Sequence, residues 1–411
     1  MSDNSPEVWI SGIGIISSLG EGVKGHWDAL TGVNMPQAVV DTDSMAPFPI
    51  HPTIKYDIAS QIPKRSDQRQ MGPWQHLGTY SAGLALDDAG IAGDADLLAR
   101  TNLIVAAGGG KRDYEVDTAI LENLSGTNNY GPKLNGALSD ELRPTLFLAQ
   151  LSNLLAGNIS IVHGVTDSSR SFVGESMAGV SAVDTASKQI QAGQGDIFLV
   201  GGAYISERPD MMLQFELGGD LWAGKHGPVW SRRGTDGGMI MGSAGAFLVL
   251  ESSVHAKARG ARPYAKINRI AADRCNRKQG AALQNAKGLL AGFDDLQTGQ
   301  LPVLSATCGI EPYLSEEHDF LTGLADQGMA PSIRGFSTLF GNTMEAQFPL
   351  AVALAAMAVS KATFYPPFDT TGIETATEDA VERVMISNWG HWRGESLTLI
   401  DTPDTALREV E

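Results

Sequence analysis

The stretch MGSAGAFLVLESSVHAKARGARPYAKI, residues 241–267, decides the fold of this chain. Its first part is rich in glycine and apolar residues and predicts a buried strand with an acidic end. The middle part has the composition of a short helix, and the last residues predict a new strand. A strand, a helix and another strand in this order indicate an α/β fold with mostly internal strands.

Similar segments lie on both sides of that stretch. Four further apolar runs predict buried strands that end in glycine or polar turns: VWISGIGII (8–16), TNLIVAAGGG (101–110), GDIFLVGGAYI (195–205) and LPVLSATCG (301–309). Three segments predict helices: GHWDALTG (25–32), residues 67–91 with a break at Gly72-Pro73, and FPLAVALAAMAVSKATF (348–364). VERVMISNWGHWRGESLTLID (381–401) predicts a closing hairpin.

Composition excludes several classes of function. The chain has 411 residues and a net charge of −17, which argues against binding nucleic acid, an anionic membrane surface or any acidic partner directly. No run of 18 apolar residues predicts a membrane span. The beginning of the chain lacks the pattern of a secretory signal, and two cysteines, Cys275 and Cys308, do not make a disulfide framework. We therefore expect a cytoplasmic protein.

Nothing in the sequence predicts a cofactor or a metal. The glycine-rich runs GIG and AAGGGK (106–111) lack the full spacing of nucleotide-binding loops. EEHD (316–319) has metal-ligating residue types, but neighbouring positions on a helix point in different directions. We expect no bound cofactor and no metal site.

The segment SFVGESMAGV (171–180) predicts a strand end, a turn at Gly174 and the start of a helix at Ser176. The free amides of a helix start favour an anionic nucleophile or an oxyanion. The pattern Gly174-x-Ser176-x-Ala178 is also close to the nucleophile elbow of α/β-hydrolases, which would need an acid and then a histidine later in the chain. The histidines available for this are His226, His255, His318 and His391.

Over nearly its whole length the chain resembles the β-ketoacyl synthases of the thiolase superfamily. VWISGIGIISSLG resembles the opening strand of that family, GQGDIFLVGGAYI resembles the strand after the nucleophile, and residues 241–267 are the most specific match. The resemblance implies a dimer and a thiolase-like α/β fold, with two similar halves stacked in five layers (αβαβα). We expect residues 1–257 to form the N-terminal half and residues 258–411 the C-terminal half.

The residues of this chain differ from the family at every catalytic position. Ser176 stands where the family has its nucleophilic cysteine. Cys308, or Thr307 if the register differs by one, stands for the first histidine, and Asn342 for the second. Ser337 replaces the lysine. A serine is much harder to ionise than a cysteine, and decarboxylation of a malonyl thioester needs donors at the enolate oxygen, so these changes argue against ordinary synthase activity.

The resemblance extends to one branch of the family, the chain-length factors or ketosynthase β-subunits of type II polyketide and aryl-polyene-type systems. GESMAG keeps the Gly-Glu start and the final Gly of their nucleophile stretch. In the C-terminal loop WGHWRG, two aromatic positions of the family are occupied by Trp389 and His391, and two glycine positions by Trp392 and Arg393. The bulky residues that we expect to line or close an acyl tunnel are Glu175, Met177, Trp389, His391, Trp392 and Arg393.

The sequence thus predicts a non-catalytic subunit that pairs with an active ketosynthase as a heterodimer and shapes the tunnel for the growing chain. The acyl carrier protein, which is acidic, would then dock on the catalytic partner. The alternative is a serine-dependent acyltransferase or thioesterase that uses Ser176 on the same fold as a homodimer. A third hypothesis is the α/β-hydrolase described above.

Overall fold

A computed structural model of the chain describes residues 5–110, 112–141, 148–293, 296, 298–377, 379–408 and 410. Lys111 of the run AAGGGK lies outside the described residues. The strands are β1 (Val8–Ile16), β2 (Ile50–His51), β3 (Thr101–Ala106), β4 (Ser169–Phe172), β5 (Ile197–Tyr204), β6 (Met241–Gly242), β7 (Ala244–Ser252), β8 (Ala265–Arg274), β9 (Gly299–Ser305), β10 (Met329–Gly335), β11 (Arg383–Trp389) and β12 (Gly394–Asp401).

The helices surround and separate these strands. They are α1 (Gly22–Thr31), α2 (Ile58–Gln61), α3 (Arg65–Gln68), α4 (Pro73–Asp88), α5 (Ala95–Ala99), α6 (Tyr114–Leu124), α7 (Tyr130–Glu141), α8 (Leu154–His163), α9 (Ser176–Gln191), α10 (Pro209–Gly218), α11 (Ser253–Ala258), α12 (Ala281–Leu290), α13 (Tyr313–Gly323), α14 (Ser337–Phe340) and α15 (Gln347–Ser360). Within the described residues, no helix is both long and apolar enough to cross a membrane.

Ten strands form one sheet in the order β10-β9-β11-β12-β8-β1-β7-β5-β3-β4. The sheet consists of two five-stranded sections, which are joined where β1 and β8 pair antiparallel from Val8–Ile267 to Ile10–Ala265. In each section the strands lie in the same order when numbered along the chain: first, fifth, fourth, second, third. The repeated topology gives two similar α/β halves. The boundary between residues 257 and 258 falls inside α11 and remains a prediction.

Helices complete the five layers. Helices α9 and α15 pack on each other between the two sheet sections. Helices α4 and α8 cover the outer face of the first section, and α12 and α13 cover that of the second. Every residue of α15 except its last is buried, which explains why its sequence is apolar on all sides. The expected thiolase-like architecture is confirmed.

Residues 241–267 are stabilised by contacts between their own charged side chains. Glu251, at the end of the fully buried β7, accepts hydrogen bonds from the guanidinium of Arg259 and the hydroxyl of Ser11. His255 Nδ1 lies 2.9 Å from the same carboxylate. Burial disfavours the charged form of Glu251, but these partners outweigh it and lower the pKa of the carboxyl. The acidic end of the strand and the basic residues after it therefore fix the turn into α11.

Candidate functional site

The predicted strand, turn and helix around Ser176 are confirmed. Strand β4 ends at Phe172, Gly174 has a φ of +151°, and α9 begins at Ser176 with Glu175 as its N-cap. A side chain at Gly174 would strain this backbone, which accounts for the glycine. Ser176 is 4% exposed, so the chain buries the hydroxyl at a place where helix amides are free donors.

Among the residues that the structure describes, none is a base in contact with Ser176. In the described part of the chain, Ser176 Oγ has no hydrogen-bond partner. The four histidines that follow it contact other groups: His226 packs on His51, His255 on Glu251, His318 on Asp319 and His391 on Glu175. Because a serine needs an adjacent base to become a nucleophile, the triad that an α/β-hydrolase requires is not assembled here.

Glu175 instead links the start of α9 to the C-terminal loop, residues 390–393, through hydrogen bonds of its carboxylate. Its Oε2 lies 2.6 Å from His391 Nδ1 and accepts a hydrogen bond from the amide of Trp392 at 3.2 Å. Phe215 packs against the His391 ring with a centroid distance of 5.6 Å. Burial would raise the pKa of Glu175, but the hydrogen bond and charge of His391 and the Trp392 amide together lower it. The carboxylate is therefore ionised and holds the loop down.

Other groups support the same loop from outside. Arg277 donates a hydrogen bond to the carbonyl of Gly390 at 2.7 Å and is paired with the buried Glu395. The guanidinium of Arg393 lies 5.0 Å from the centre of the Trp392 ring. Trp392 itself is 62% exposed, so its indole caps the loop and is not part of the core.

The predicted gate residues divide into two groups. Glu175, His391, Trp392 and Arg393 line a cavity of about 580 Å³, referred to below as the cavity. Met177 and Trp389 are not part of its wall. Met177 packs between the halves and receives a contact from Asn388 Nδ2 to its sulfur at 3.8 Å. Trp389 is 1% exposed and packs against Phe320 in the core of the C-terminal half.

The family's second histidine position is occupied by a structural amide. Asn342 Nδ2 donates to the sulfur of Met239 at 3.3 Å, and its Oδ1 accepts from the amide of Met344 at 3.0 Å. Ser337, at the lysine position, accepts from Gln347 Nε2 at 3.1 Å. Both side chains are buried and engaged with neighbours. The side chains at both positions therefore stabilise the surrounding fold.

The first histidine position also lacks an active group. Cys308 is 3% exposed, and burial raises the pKa of its thiol to about 12. A thiol with so high a pKa is neither a thiolate nucleophile nor a strong donor at neutral pH. Thr307, the alternative residue for this position, is fully buried, and its amide donates to Ser305 Oγ at 3.2 Å.

The side chains of the EEHD segment (316–319) point in different directions, as expected for neighbouring positions on a helix. Glu316 accepts the amides of Gly280 and Leu283 at the start of α12, whereas Glu317 faces the hydroxyls of Ser305 and Ser387. No group of metal-ligating side chains occurs among the residues that the structure describes.

Glu345 is a site residue that the sequence analysis missed. It lies in the turn Met344–Ala346 and lines the cavity, yet it is only 4% exposed. Its backbone carbonyl packs so closely on α9 and β5 that an added Cβ would lie 2.8 Å away at Gly179 and 2.9 Å away at Gly202. Burial raises the pKa of its carboxyl to about 8. The run TMEAQFPL carries a signal, namely a single charge before a wholly apolar helix, but this pattern also suits an ordinary acidic helix start.

Comparison with known proteins agrees with this fold. The model of the β-ketoacyl synthase N-terminal domain matches residues 5–256, more than half of the chain, and the protein therefore belongs to the β-ketoacyl synthase family.

Individual relatives are distant. A 3-oxoacyl-[acyl-carrier-protein] synthase 2 of Vibrio cholerae is 26% identical over 269 residues, which are 63% of this chain and 61% of the relative. The match thus spans about 61% of that curated relative's length. An oxytetracycline polyketide β-ketoacyl synthase of Streptomyces rimosus is 24% identical over 386 residues, 87% of this chain and 86% of the relative. The solved ishigamide ketosynthase/chain length factor has a TM-score of 0.78 at 19% identity and covers 97% of this chain and 100% of its own.

Proposed function

We propose that this protein is a non-catalytic, chain-length-factor-like subunit that pairs with an active β-ketoacyl synthase and shapes the tunnel for a growing polyketide or fatty-acyl chain. The observation that carries the proposal is the state of Ser176. It is buried at the family's nucleophile position, no base lies beside it among the described residues, and the neighbouring Glu175 holds the loop of residues 390–393.

The surrounding groups support the same conclusion. Cys308 and Asn342 are buried at the histidine positions, where the thiol of Cys308 is a weak donor and the amide of Asn342 already donates to Met239. The relatives named above are synthases, and one solved neighbour is a ketosynthase/chain length factor. A chain that keeps the ketosynthase fold but lacks the catalytic residues fits a chain length factor better than a synthase.

Charge supports the proposed division of labour between the two subunits. The chain carries a net charge of −17, which disfavours direct docking of an acidic carrier protein. We therefore place carrier docking on the catalytic partner, with this subunit contributing the cavity.

The test compares two single substitutions in the complex with the partner synthase. Ser176→Ala should leave the amount and chain length of the product unchanged, whereas replacing the nucleophilic cysteine of the partner should abolish the product. Intact-mass analysis after incubation with acyl or malonyl carrier protein should show the acyl group on the partner alone. An acyl adduct on Ser176 would overturn the proposal in favour of a serine-dependent acyltransferase or thioesterase.

A further inference from the structure

Glu345 is the buried group of the cavity that the proposed function leaves unexplained. In the described part of the chain its carboxyl makes no ion pair and no hydrogen bond to another residue. The cation beside it, Arg208, is already used: its guanidinium contacts Asp210 at 2.9 and 2.7 Å and the carbonyl of Gly109 at 2.6 Å. An acid that is buried without a partner stays protonated, because ionising it would place an uncompensated charge in a low dielectric.

A protonated carboxyl differs from a carboxylate in what it can recognise. It has an O–H donor as well as acceptor oxygens, so it can hydrogen-bond a carbonyl or hydroxyl group of a neutral ligand. The remaining wall of the cavity includes Phe215, Ile310 and Met344, which suit a hydrocarbon chain. The cavity therefore combines these apolar side chains with polar ones, and the carboxyl of Glu345 is a neutral donor among them.

The position of the carboxyl is set by a glycine across from it. A Cβ added to Gly108 would lie 2.3 Å from Glu345 Oε1 and 3.2 Å from Oε2. Because glycine has no side chain, the carboxyl has room to lie against the loop that contains Gly108 and Gly109. The loop and the carboxyl thus form one wall of the cavity.

We propose that Glu345 is a specificity-determining residue, whose carboxylic acid donates a hydrogen bond to an oxygen-bearing position of the bound chain. The inference rests on the proposed function, in which the cavity receives the chain. A chain with a keto or hydroxyl group at the right position satisfies the buried O–H. A fully reduced chain fills the same space and leaves the O–H unpaired, which costs free energy.

The experiment measures binding to the purified full chain by isothermal titration calorimetry. The probes are N-acetylcysteamine thioesters of octanoate and of 3-, 5- and 7-oxooctanoate. We expect at least one oxo probe to bind roughly fivefold to tenfold more tightly than the octanoyl probe, the effect of one hydrogen bond. Glu345→Leu should reduce this ratio to about one, and Glu345→Gln, whose amide still donates, should keep most of it.

Two further variants separate the role of the carboxyl from general damage. Gly108→Ala keeps the carboxylic acid at residue 345 but forces it to move, and should lower the ratio. Met211→Leu changes only the apolar wall and should preserve it. Equal binding of oxo and octanoyl probes, no binding of any probe, or an unchanged ratio in Glu345→Leu would each overturn the inference. Failure of the proposed function is a different result, because acylation of Ser176 can occur whatever the binding ratio is.

Discussion

Glu175 and Glu345 are two buried carboxyl groups in the wall of one cavity, and their surroundings give them opposite charge states. Glu175 is at a helix N-cap, 2.6 Å from His391, and the pKa of its carboxyl is lowered. Within the described residues the carboxyl of Glu345 forms no ion pair, and burial raises its pKa to about 8. Partners, rather than the depth of burial, decide the charge of a buried acid, since both residues are less than 5% exposed.

The difference also separates two tasks. The ionised Glu175 holds the loop of residues 390–393 through its Oε2, which contacts His391 and the amide of Trp392. The neutral Glu345 keeps its capacity for whatever enters the cavity. One acid thus stabilises the wall, and the other is available to a ligand at a cost in stability.

The largest effect is expected for Glu345→Gln, as a function of pH. Below the usual pKa of a glutamate, 4.5, both folded and unfolded chains hold the proton, and the substitution changes little. Between pH 4.5 and about 8 the unfolded chain loses the proton that the folded protein keeps, so the stability of the wild type falls as the pH rises. Glutamine has no such cost. At pH 9 the variant should be more stable by on the order of 3 kcal/mol.

Urea unfolding at pH 4.5 and pH 9 measures this difference. The matched control is Glu175→Gln, which should destabilise the protein at pH 9, because the pKa of Glu175 is shifted in the opposite direction. A stability gain in Glu345→Gln that is the same at both pH values would mean that the folded protein does not hold this carboxyl in its neutral form.

The second effect concerns the Glu175–His391 pair. Glu175→Gln should cost about 1–3 kcal/mol at pH 7, because the amide still accepts a hydrogen bond but lacks the charge of the carboxylate that faces His391 and the Trp392 amide. The contribution of the carboxylate is complete above its unfolded pKa and disappears as the pH falls through the lower folded value. A double-mutant cycle with His391→Phe should give a coupling energy of about 1 kcal/mol or more.

The chain offers a control for that cycle in His318 and Asp319. Their contact is 3.3 Å long, but the Asp319 side chain is 63% exposed, so Asp319→Asn should change the stability by less than about 0.5 kcal/mol. Additive effects of Glu175→Gln and His391→Phe would show that the two side chains do not hold the loop together.

Much of the fold could be predicted from the sequence, because apolar runs and breakers are local signals. The helix break at Gly72-Pro73 is confirmed by α4, which begins at Pro73, and the closing hairpin is confirmed by β11 and β12. The start of α9 at Ser176 is confirmed as well. Each of these depends on the residues of one segment.

The site was harder to predict, because it depends on contacts between distant segments. Glu175 was singled out from the sequence, but its partner His391 lies more than 200 residues away and could be paired with it only in the fold. Trp389 is two residues from His391, yet it faces the core and not the cavity. The neutral state of Glu345 depends on Arg208, which donates to Asp210 instead. The residues next to Glu345 in the sequence do not reveal this pairing.

The smallest effect tests whether the loop of residues 390–393 covers the helix start. Burial raises the pKa of Cys275 and Cys308 to about 11 and 12, so both native thiols should resist iodoacetamide at pH 7.5. Ser176→Cys then places a single reporter thiol at a site that is 4% exposed. It should react slowly in the otherwise native chain.

Adding Trp392→Gly should raise the labelling rate of Cys at position 176 by roughly tenfold, because the indole caps the loop and its loss favours local opening. Global stability should change by less than about 0.5 kcal/mol, since the Trp392 side chain is 62% exposed. Val254→Ala, at a residue that is 70% exposed on α11, should leave the rate unchanged. If the reporter already reacts as fast as a free thiol while Trp392 is present, the loop does not restrict access to Ser176, and the contacts of Glu175 with the loop do not affect access to the helix start.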